Sequence, residues 1–226
     1  VGIFPSTALN FPGTMAISNL MISAPTGYVN TLLLNYAGTA VPLQVLDGCT
    51  VGTNGSLVNF YSGLTVLSNN LNVVSGTFVQ EGGATTIPKG YFWVQTGTAA
   101  ITNAALAFSN ALLIGSAFTQ SGGSVTGLDM TLSGSTVDLW NGSLSATLYL
   151  GDFGSGQVNL HGGQIDSSYI GITDGDFSQN GGSVSNGGLQ VGGFNSELFG
   201  RYSLNDGVLM SGDVTVNNGY FYQSNG

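Results

Sequence analysis

The stretch Phe118-Thr-Gln-Ser-Gly-Gly-Ser-Val125 contains a short pattern that recurs through the second half of the chain. A large apolar residue is followed by a glycine-containing turn, and a second apolar residue stands seven positions after the first. Further copies begin at Val137, Val158, Phe177, Tyr202 and Phe221. A pattern that recurs at a fixed spacing indicates a repeat protein, in which each unit buries its apolar face by stacking on its neighbours.

Followed along the chain, the pattern gives three ladders of mainly apolar positions with steps of about 20 residues. The first ladder contains Val58, Phe78, Ala99, Phe118, Val137, Val158, Phe177, Tyr202 and Phe221. The second contains Thr65, Thr85, Leu106, Val125, Leu144, Ile165, Val184 and Leu209. The third contains Leu71, Phe92, Leu112, Met130, Leu148, Ile170, Leu189 and Val214. Apolar partners two residues farther on, such as Ile114 after Leu112, match the period of a strand.

The three ladders correspond to three short strands per coil, separated by turns rich in Gly, Asn, Asp and Ser. We therefore predict an all-β protein with the fold of a right-handed parallel β-solenoid, or β-helix, in which each coil contains about 20 residues. About eleven such coils would fit into the 226 residues of the chain. The alternative is an antiparallel β-sandwich, which also spaces its strands regularly.

The N-terminal part of the chain matches the ladders weakly and contains Pro5, Pro12 and Pro25. The end coil of a solenoid exposes unpaired backbone groups, so a cover is expected there. We predict an extended capping or docking segment in residues 1–37 and solenoid repeats in residues 38–226. The first five residues have neither a basic start nor a long apolar centre, so we expect a mature or internal start.

The composition excludes two classes of partner. Charged residues make up 6% of the chain, the net charge is −9, and Lys89 and Arg201 are the two basic residues. Such a chain cannot neutralise nucleic-acid phosphates or an anionic bilayer. The sequence has no apolar run of about 18 residues, the length needed to span a membrane. A surface rich in Gly, Asn, Ser and Thr offers few sites to trypsin-like proteases, so we predict an extracellular or cell-surface location.

The single cysteine, Cys49, allows no disulfide within the chain. It stands in the apolar run from Val45 to Val51. We predict that its side chain is a small buried hydrophobe, and a reactive or intermolecular thiol is the alternative.

A row of glutamines alternates with leucine and isoleucine two residues after the first ladder. Its glutamines are Gln80, Gln120, Gln179 and Gln223. A position that accepts both residue types is at least half buried. We therefore predict that the amides stack on each other or bond to the backbone of a turn, with a ligand-binding row as the alternative.

Several glycine-rich phrases show a resemblance to a known class. They are Leu148-Tyr-Leu-Gly-Asp-Phe-Gly-Ser-Gly-Gln-Val-Asn-Leu-His-Gly-Gly-Gln-Ile165, Leu189-Gln-Val-Gly192 and Gly200-Arg-Tyr-Ser-Leu-Asn-Asp-Gly-Val-Leu209. These phrases resemble the repeats of bacterial autotransporter passengers and of the related PEP-CTERM-associated surface proteins. The resemblance covers residues 48–226 and implies a secreted or surface β-solenoid with an adhesive or structural role. It supplies no catalytic residues.

The sequence contains few candidates for chemistry. Asp174-Gly-Asp176 is the tightest acidic pair and a weak candidate for holding Ca²⁺ as a pair of turn residues, with a catalytic dyad as the alternative. His161 lacks Cys or His companions at ligand spacing, so we expect a solvated turn residue. We predict no catalytic residues, no cofactor and no enzymatic activity.

These observations favour a structural or adhesive extracellular protein, in the form of a subunit of a head-to-tail β-solenoid filament. The first alternative is a polysaccharide-active enzyme, since β-helices include such enzymes. The second is a carbohydrate-binding module with an exposed aromatic row, for which Trp93, Trp140 and Tyr149 are the candidates. The expected partners are other copies of the chain, and glycans or cell surfaces.

The predicted assembly interface lies at the two chain ends. The coil that begins at Phe221 has formed one side when the sequence reaches Gly226, so the preceding coil would expose backbone N–H and C=O groups and an apolar layer. The apolar segment from Val1 to Ile22 is the candidate that pairs with this edge by strand addition. The predicted interface residues are Val1, Ile3, Phe4, Phe221, Tyr222 and Gln223.

Overall fold

The computed structural model describes residues 14–35, 41–66, 69–151, 154–193 and 198–224. Within these ranges the regular elements are β-strands, and all of their recorded pairings are parallel. The strands stack as a β-solenoid of about nine turns with a spacing of ~21 residues. The predicted all-β parallel solenoid is therefore confirmed. The estimate of eleven coils included the N-terminal part of the chain, of which residues 1–13 lie outside the described ranges.

The strands have the following bounds. In chain order they are β1 (Met15–Ile17), β2 (Leu20–Ile22), β3 (Asn30–Leu34), β4 (Leu43–Val45), β5 (Cys49–Val51), β6 (Gly55–Asn59), β7 (Leu64–Val66), β8 (Leu71–Val74), β9 (Thr77–Gln80), β10 (Ala84–Gln95), β11 (Thr98–Ile101), β12 (Ala104–Ile114), β13 (Ala117–Ser133), β14 (Thr136–Leu150), β15 (Gly156–Leu160), β16 (Gln164–Ser167), β17 (Ile170–Ile172), β18 (Gly175–Val191), β19 (Gly200–Val216) and β20 (Tyr220–Gln223).

Each coil has three sides. The strands β6, β9 and β11 lie on the first side, β4 and β7 on the second, and β5 and β8 on the third. Farther along the chain the sides merge into longer strands, so that β13, β14, β18 and β19 each run through more than one side. Every side is thus a parallel sheet in which successive coils are neighbours.

The interior is filled by rows of side chains, one from each coil. On the first side the row is Leu57, Phe78, Ala99, Phe118, Val137, Val158, Phe177, Tyr202 and Phe221. All of these except Phe221 are at most 2% exposed. Rings at this row contact each other along the axis, and Phe177 and Tyr202 stack with centroids 4.8 Å apart. The predicted first ladder is confirmed from Phe78 onward.

Three ladder positions were predicted one residue too late. Leu57, Leu64 and Ala111 are the inward residues that pair in register with the other members of their rows, in place of Val58, Thr65 and Leu112. A shift of one residue along a strand turns the side chain to the opposite face of the sheet. Thr85 is completely buried although it is polar. Its hydroxyl is satisfied there, because it donates a hydrogen bond of 2.6 Å to the Gln80 amide oxygen.

The corner between the first and second sides depends on glycine. The residues with positive φ, from 68° to 97°, are Gly83, Gly123, Gly142, Gly163, Gly182 and Gly207. A Cβ atom at any of them would meet a backbone carbonyl oxygen of the preceding coil. Glycine is therefore required at these six positions, which explains the glycine turn in the sequence pattern. Ala104, which pairs with Gly123, occupies the equivalent position of its coil directly after Asn103, whose φ is 51°.

The buried glutamines fasten this corner. Gln80, Gln120 and Gln179 have no exposed surface. Gln120 donates its amide N–H to the Ser143 carbonyl over 3.0 Å, and Gln179 donates to the Val208 carbonyl over 3.0 Å. The prediction that these amides bond to turn backbone is confirmed. A ligand-binding row of glutamines is excluded at these three positions, because solvent cannot reach them.

The corner between the third and first sides also uses the left-handed backbone region, but with mixed residues. The φ values are 57° at Asn54, 55° at Ser75, 50° at Thr96, 53° at Gly115 and 58° at Gly134. The left-handed region is strained for a β-branched residue such as threonine. A hydrogen bond of 2.7 Å between the Ser75 and Thr96 hydroxyls accompanies this strain.

The N-terminal segment joins the stack. Strands β1, β2 and β3 pair in parallel register with β4, β5 and β6. The described part of the predicted capping segment, residues 14–35, therefore forms the first coil of the described stack. The rest of that segment lies outside the described residues.

The glycine corner gives a first test of the fold. We expect Gly123→Ala to lower the free energy of unfolding by several kcal/mol, because its Cβ would overlap the Ala104 carbonyl oxygen at a positive φ of 72°. Gly115→Ala is the matched control, since its φ is 53° but the nearest atom to its Cβ is Thr96 Cγ2 at 3.8 Å. The control should cost about 1–2 kcal/mol. Equal losses in denaturant unfolding would contradict the corner geometry.

The buried row gives a second test. Val158 is 1% exposed, so Val158→Asp would bury an unpaired charge and should cost several kcal/mol. Ser155 is exposed in the adjoining turn, and Ser155→Asp should cost about 0.5 kcal/mol or less. Thermal unfolding of the two variants measures the difference. A comparable loss from both would show that Val158 is not an interior residue.

Candidate functional site

Two of the predicted aromatic candidates lie on one outward row of the third side. Trp93, Leu112, Thr131 and Tyr149 pair in register from coil to coil, so Trp93 and Tyr149 are three coils apart in the same row. A parallel row, toward the corner with the second side, contains Tyr91, Asn110, Asp129 and Thr147. Large rings thus stand at both ends of a stretch whose middle coils carry smaller side chains.

The smaller side chains leave a shallow groove of about 280 Å³, which we call the third-side groove. Its walls are Tyr91, which is 48% exposed, and Tyr149. Its floor and edge are formed by Asn110, Ala111, Leu112, Asp129 and Thr131. The groove therefore combines aromatic rings with one amide, one carboxylate and one hydroxyl.

The Tyr149 wall is held in place by a second ring. Tyr169 lies beside Tyr149 with ring centroids 6.1 Å apart, and its hydroxyl donates to the Gln190 amide oxygen over 2.7 Å. Gly171 makes room for this arrangement, because a Cβ there would lie 2.9 Å from the Tyr169 ring. Burial, together with the neighbouring Tyr149, raises the pKa of Tyr169 above its usual value. The phenol therefore stays a neutral donor at ordinary pH.

A second depression of about 320 Å³ adjoins the groove at Asp129. It is lined by Gly127, Leu128, Asp129, Ser145, Ala146, Thr147, Asp166 and Ser168. Its polar groups are hydroxyls and two carboxylates. The two depressions together form a hydroxyl-rich and acidic surface at the corner between the second and third sides.

The third aromatic candidate, Trp140, lies elsewhere. It follows the end of the first-side segment and stacks on His161 of the next coil, with ring centroids 3.9 Å apart and an interplanar angle of 10°. His161 Nε2 is 3.8 Å from Asp138 Oδ1, which also accepts a hydrogen bond of 2.8 Å from Asn159. His161, which was expected to be a solvated turn residue, therefore has an aromatic partner. The contact joins adjacent coils, so it depends on how the coils align.

The candidate Ca²⁺ pair has another partner. Arg201 pairs in register with Asp176, and its Nε lies 2.7 Å from Asp176 Oδ1. A guanidinium at this distance opposes the binding of a second cation by the same carboxylate. Among the residues that the structure describes, no three His, Cys, Asp or Glu side chains form a group that could hold a metal ion.

The predicted assembly residues divide between two regions. Val1, Ile3 and Phe4 lie outside the described residues. Phe221, Tyr222 and Gln223 belong to β20, which pairs with the first-side part of β19. The Phe221 ring stacks on Tyr202 with centroids 5.4 Å apart and continues the interior column.

The rest of β19 has an unpaired edge, since no strand of the described chain follows it on the second and third sides. Val214 and Val216 occupy inward positions, in register with the buried Leu189 and Val191, yet they are 51% and 45% exposed. The last described coil therefore presents apolar side chains and free backbone groups together.

Comparison of the chain with protein-family models, curated proteins and solved structures gives no match. The resemblance to autotransporter passengers and PEP-CTERM-associated proteins therefore stays a prediction. No helix in the described ranges is long and apolar enough to cross a membrane.

Sequence reasoning identified Trp93 and Tyr149 but missed Tyr91, Asn110 and Asp129. These three residues align only after the coils are placed in register, because their spacings of 19 residues differ from those of the preceding coils. Writing out the outward positions of each coil would have placed them side by side. The same ladders that predict the interior residues also fix which outward residues are neighbours on adjacent coils.

Cys49 is completely buried and free, as the apolar run around it predicted. Burial raises the pKa of the Cys49 thiol to about 12. The reactive thiolate is therefore scarce, and the protein around the sulfur blocks access by reagents.

We expect the native protein not to react with a thiol-specific disulfide reagent between pH 7 and pH 9, where a free cysteine becomes largely ionised. The pKa of Cys49 in the folded state lies above its unfolded value. The neutral thiol therefore contributes to the free energy of unfolding below about pH 8.5, and this contribution is lost as the pH rises toward 12. Release of the chromophore should follow only when guanidinium unfolds the chain. Rapid reaction of the folded protein at pH 8 would show that Cys49 is accessible.

Proposed function

We propose that the chain is a structural or adhesive component of an extracellular surface, and that it acts as a rod without catalysis. The observation that supports this proposal most directly is the unbroken parallel stack, in which each coil bonds to the one before and the one after. A stack of this kind resists bending because displacement of one coil breaks backbone hydrogen bonds on all three sides.

Outward side chains reinforce the rod along its axis. Thr147 and Ser168 share a hydrogen bond of 2.7 Å, and Asn205 donates to Asn180 over 2.8 Å. Asn159 donates to Asp138 in the same way. Most of these contacts join neutral groups, so dissolved salt does not screen them as it screens surface ion pairs. Such ladders suit a protein that works in a variable external medium.

The surface composition supports the extracellular part of the proposal. Lys89 and Arg201 are the two basic residues in 226, and both are exposed. A trypsin-like protease therefore finds two sites, each on or beside a paired strand. The net charge of −9 keeps such rods apart at their sides by mutual repulsion.

The unpaired edge of β19 supports head-to-tail assembly. Free strand edges are templates for another strand, and inward Val214 and Val216 would be buried by a following coil. At the other end of the described stack, inward Met15 is 57% exposed. A contact between two different ends of one molecule is heterologous, and such contacts give open filaments unless rotation closes a ring.

Inward lysines test the assembly. We expect wild-type chains to form polymers at high concentration, and Val214→Lys with Val216→Lys to remain monomeric, because two charges would stand where the next coil must pack. Thr215→Lys is the matched control, since Thr215 is exposed but faces outward between these residues. Sedimentation velocity and electron microscopy give the readout.

The control should polymerise like the wild type. Circular dichroism of all three proteins should show the same β-rich spectrum, because the substituted side chains are exposed. A wild-type chain that stays monomeric at every concentration, or polymers that survive the inward lysines, would refute the filament.

A further inference from the structure

We propose that the third-side groove binds a short stretch of a neutral polysaccharide. This inference goes beyond the rod and its assembly, because the groove lies on the side of the solenoid and β19 lies at its end. The groove meets three requirements of a sugar site: aromatic faces, polar groups that can donate and accept, and an extended shape along the surface.

The shape follows from the register. The coils that contain Tyr91 and Tyr149 are separated by three steps, a span of about 14 Å for strands that are about 4.8 Å apart. Leu112 and Thr131 occupy the coils between them and are too short to fill the space. The result is a trough that runs along the solenoid axis, closed by rings and open to solvent on its outer side.

The walls offer the surface that a sugar ring requires. Tyr91 and Tyr149 present flat apolar faces together with hydroxyl groups, a combination suited to ligands that are apolar on one face and wet at the edge. The Tyr149 ring is supported by Tyr169, whose hydroxyl is fixed by Gln190. A wall that is already ordered loses little conformational entropy when a ligand binds.

The floor supplies hydrogen bonds of both kinds. The Asn110 amide can donate and accept, the Thr131 hydroxyl can do both, and the Asp129 carboxylate accepts. Sugar hydroxyls also donate and accept, so each of these groups has a partner in a bound glycan.

The charge selects neutral glycans over acidic ones. Asp129 lies in the groove and Asp166 lines the adjoining depression. The chain as a whole has a net charge of −9. Uronic acids or sulfated sugars would therefore approach a negative surface, which lowers their affinity.

Trp140 provides the contrast that makes the inference specific. It is 56% exposed, but one face is covered by His161. Trp140 does not line either of the two depressions described above. A comparison of Trp140 with the groove tyrosines therefore distinguishes the effect of an exposed aromatic ring from the effect of the groove.

Affinity electrophoresis tests the site with soluble β-glucan, glucomannan and xylan as neutral probes, and polygalacturonate as the acidic one. We expect at least one neutral polysaccharide to retard the chain and polygalacturonate not to do so. Tyr91→Ala and Tyr149→Ala should each weaken the retarding affinity at least about tenfold. Thr131→Trp should abolish it by filling the trough without removing a wall. Trp140→Ala is the matched control and should bind like the wild type.

Each variant is checked for the wild-type circular dichroism spectrum and thermal midpoint, and the measurement is repeated in the Val214→Lys, Val216→Lys chain. Binding that is unchanged by the inward lysines would show that the groove works without assembly. The inference is overturned if no neutral probe retards the folded chain, if polygalacturonate binds equally, or if Trp140→Ala loses as much affinity as Tyr149→Ala.

Discussion

The parallel hydrogen bonding between successive coils is the constraint on which the rest of the structure depends. It fixes the distance between coils at about 4.8 Å and places equivalent residues directly above each other. At that distance a Cβ cannot fit at Gly123 or Gly163, so these positions require glycine. The same stacking forces the interior into rows and repeats each outward position once per coil. Core, corners and surface rows are therefore consequences of one spacing.

The fold could be predicted from the sequence because the interior rows repeat with little variation, as at Phe118, Val137 and Val158. Two of the three position errors occurred where apolar residues are consecutive. Leu57-Val58 and the run from Ala111 to Ile114 allow two phases, and hydrophobicity alone does not choose between them. Only pairing with Phe78 and Phe92 on neighbouring coils selects the inward residue. Local composition gives the period, whereas the register is a property of contacts between coils.

The candidate site was harder to predict than the fold for a related reason. Residue type singled out Trp93 and Tyr149, and it also singled out Trp140, which lies at a different corner. What distinguishes the groove is the shortness of the residues between its walls, Leu112 and Thr131. A depression is created by side chains that are small relative to their neighbours in the stack. Such a contrast exists between coils and has no counterpart within one copy of the repeat.

The corner between the third and first sides, where the backbone is left-handed, differs from coil to coil in its conformational strain. Asn54, Ser75 and Thr96 hold this conformation with side chains, whereas Gly115 and Gly134 adopt it freely. In a stack where each layer contacts only its neighbours, local openings spread one layer at a time. We therefore expect the layers that contain Ser75 and Thr96 to open more readily than those that contain Gly115 and Gly134. Resistance to local opening would then differ between layers of one stack, even though all of them share the same backbone pairing.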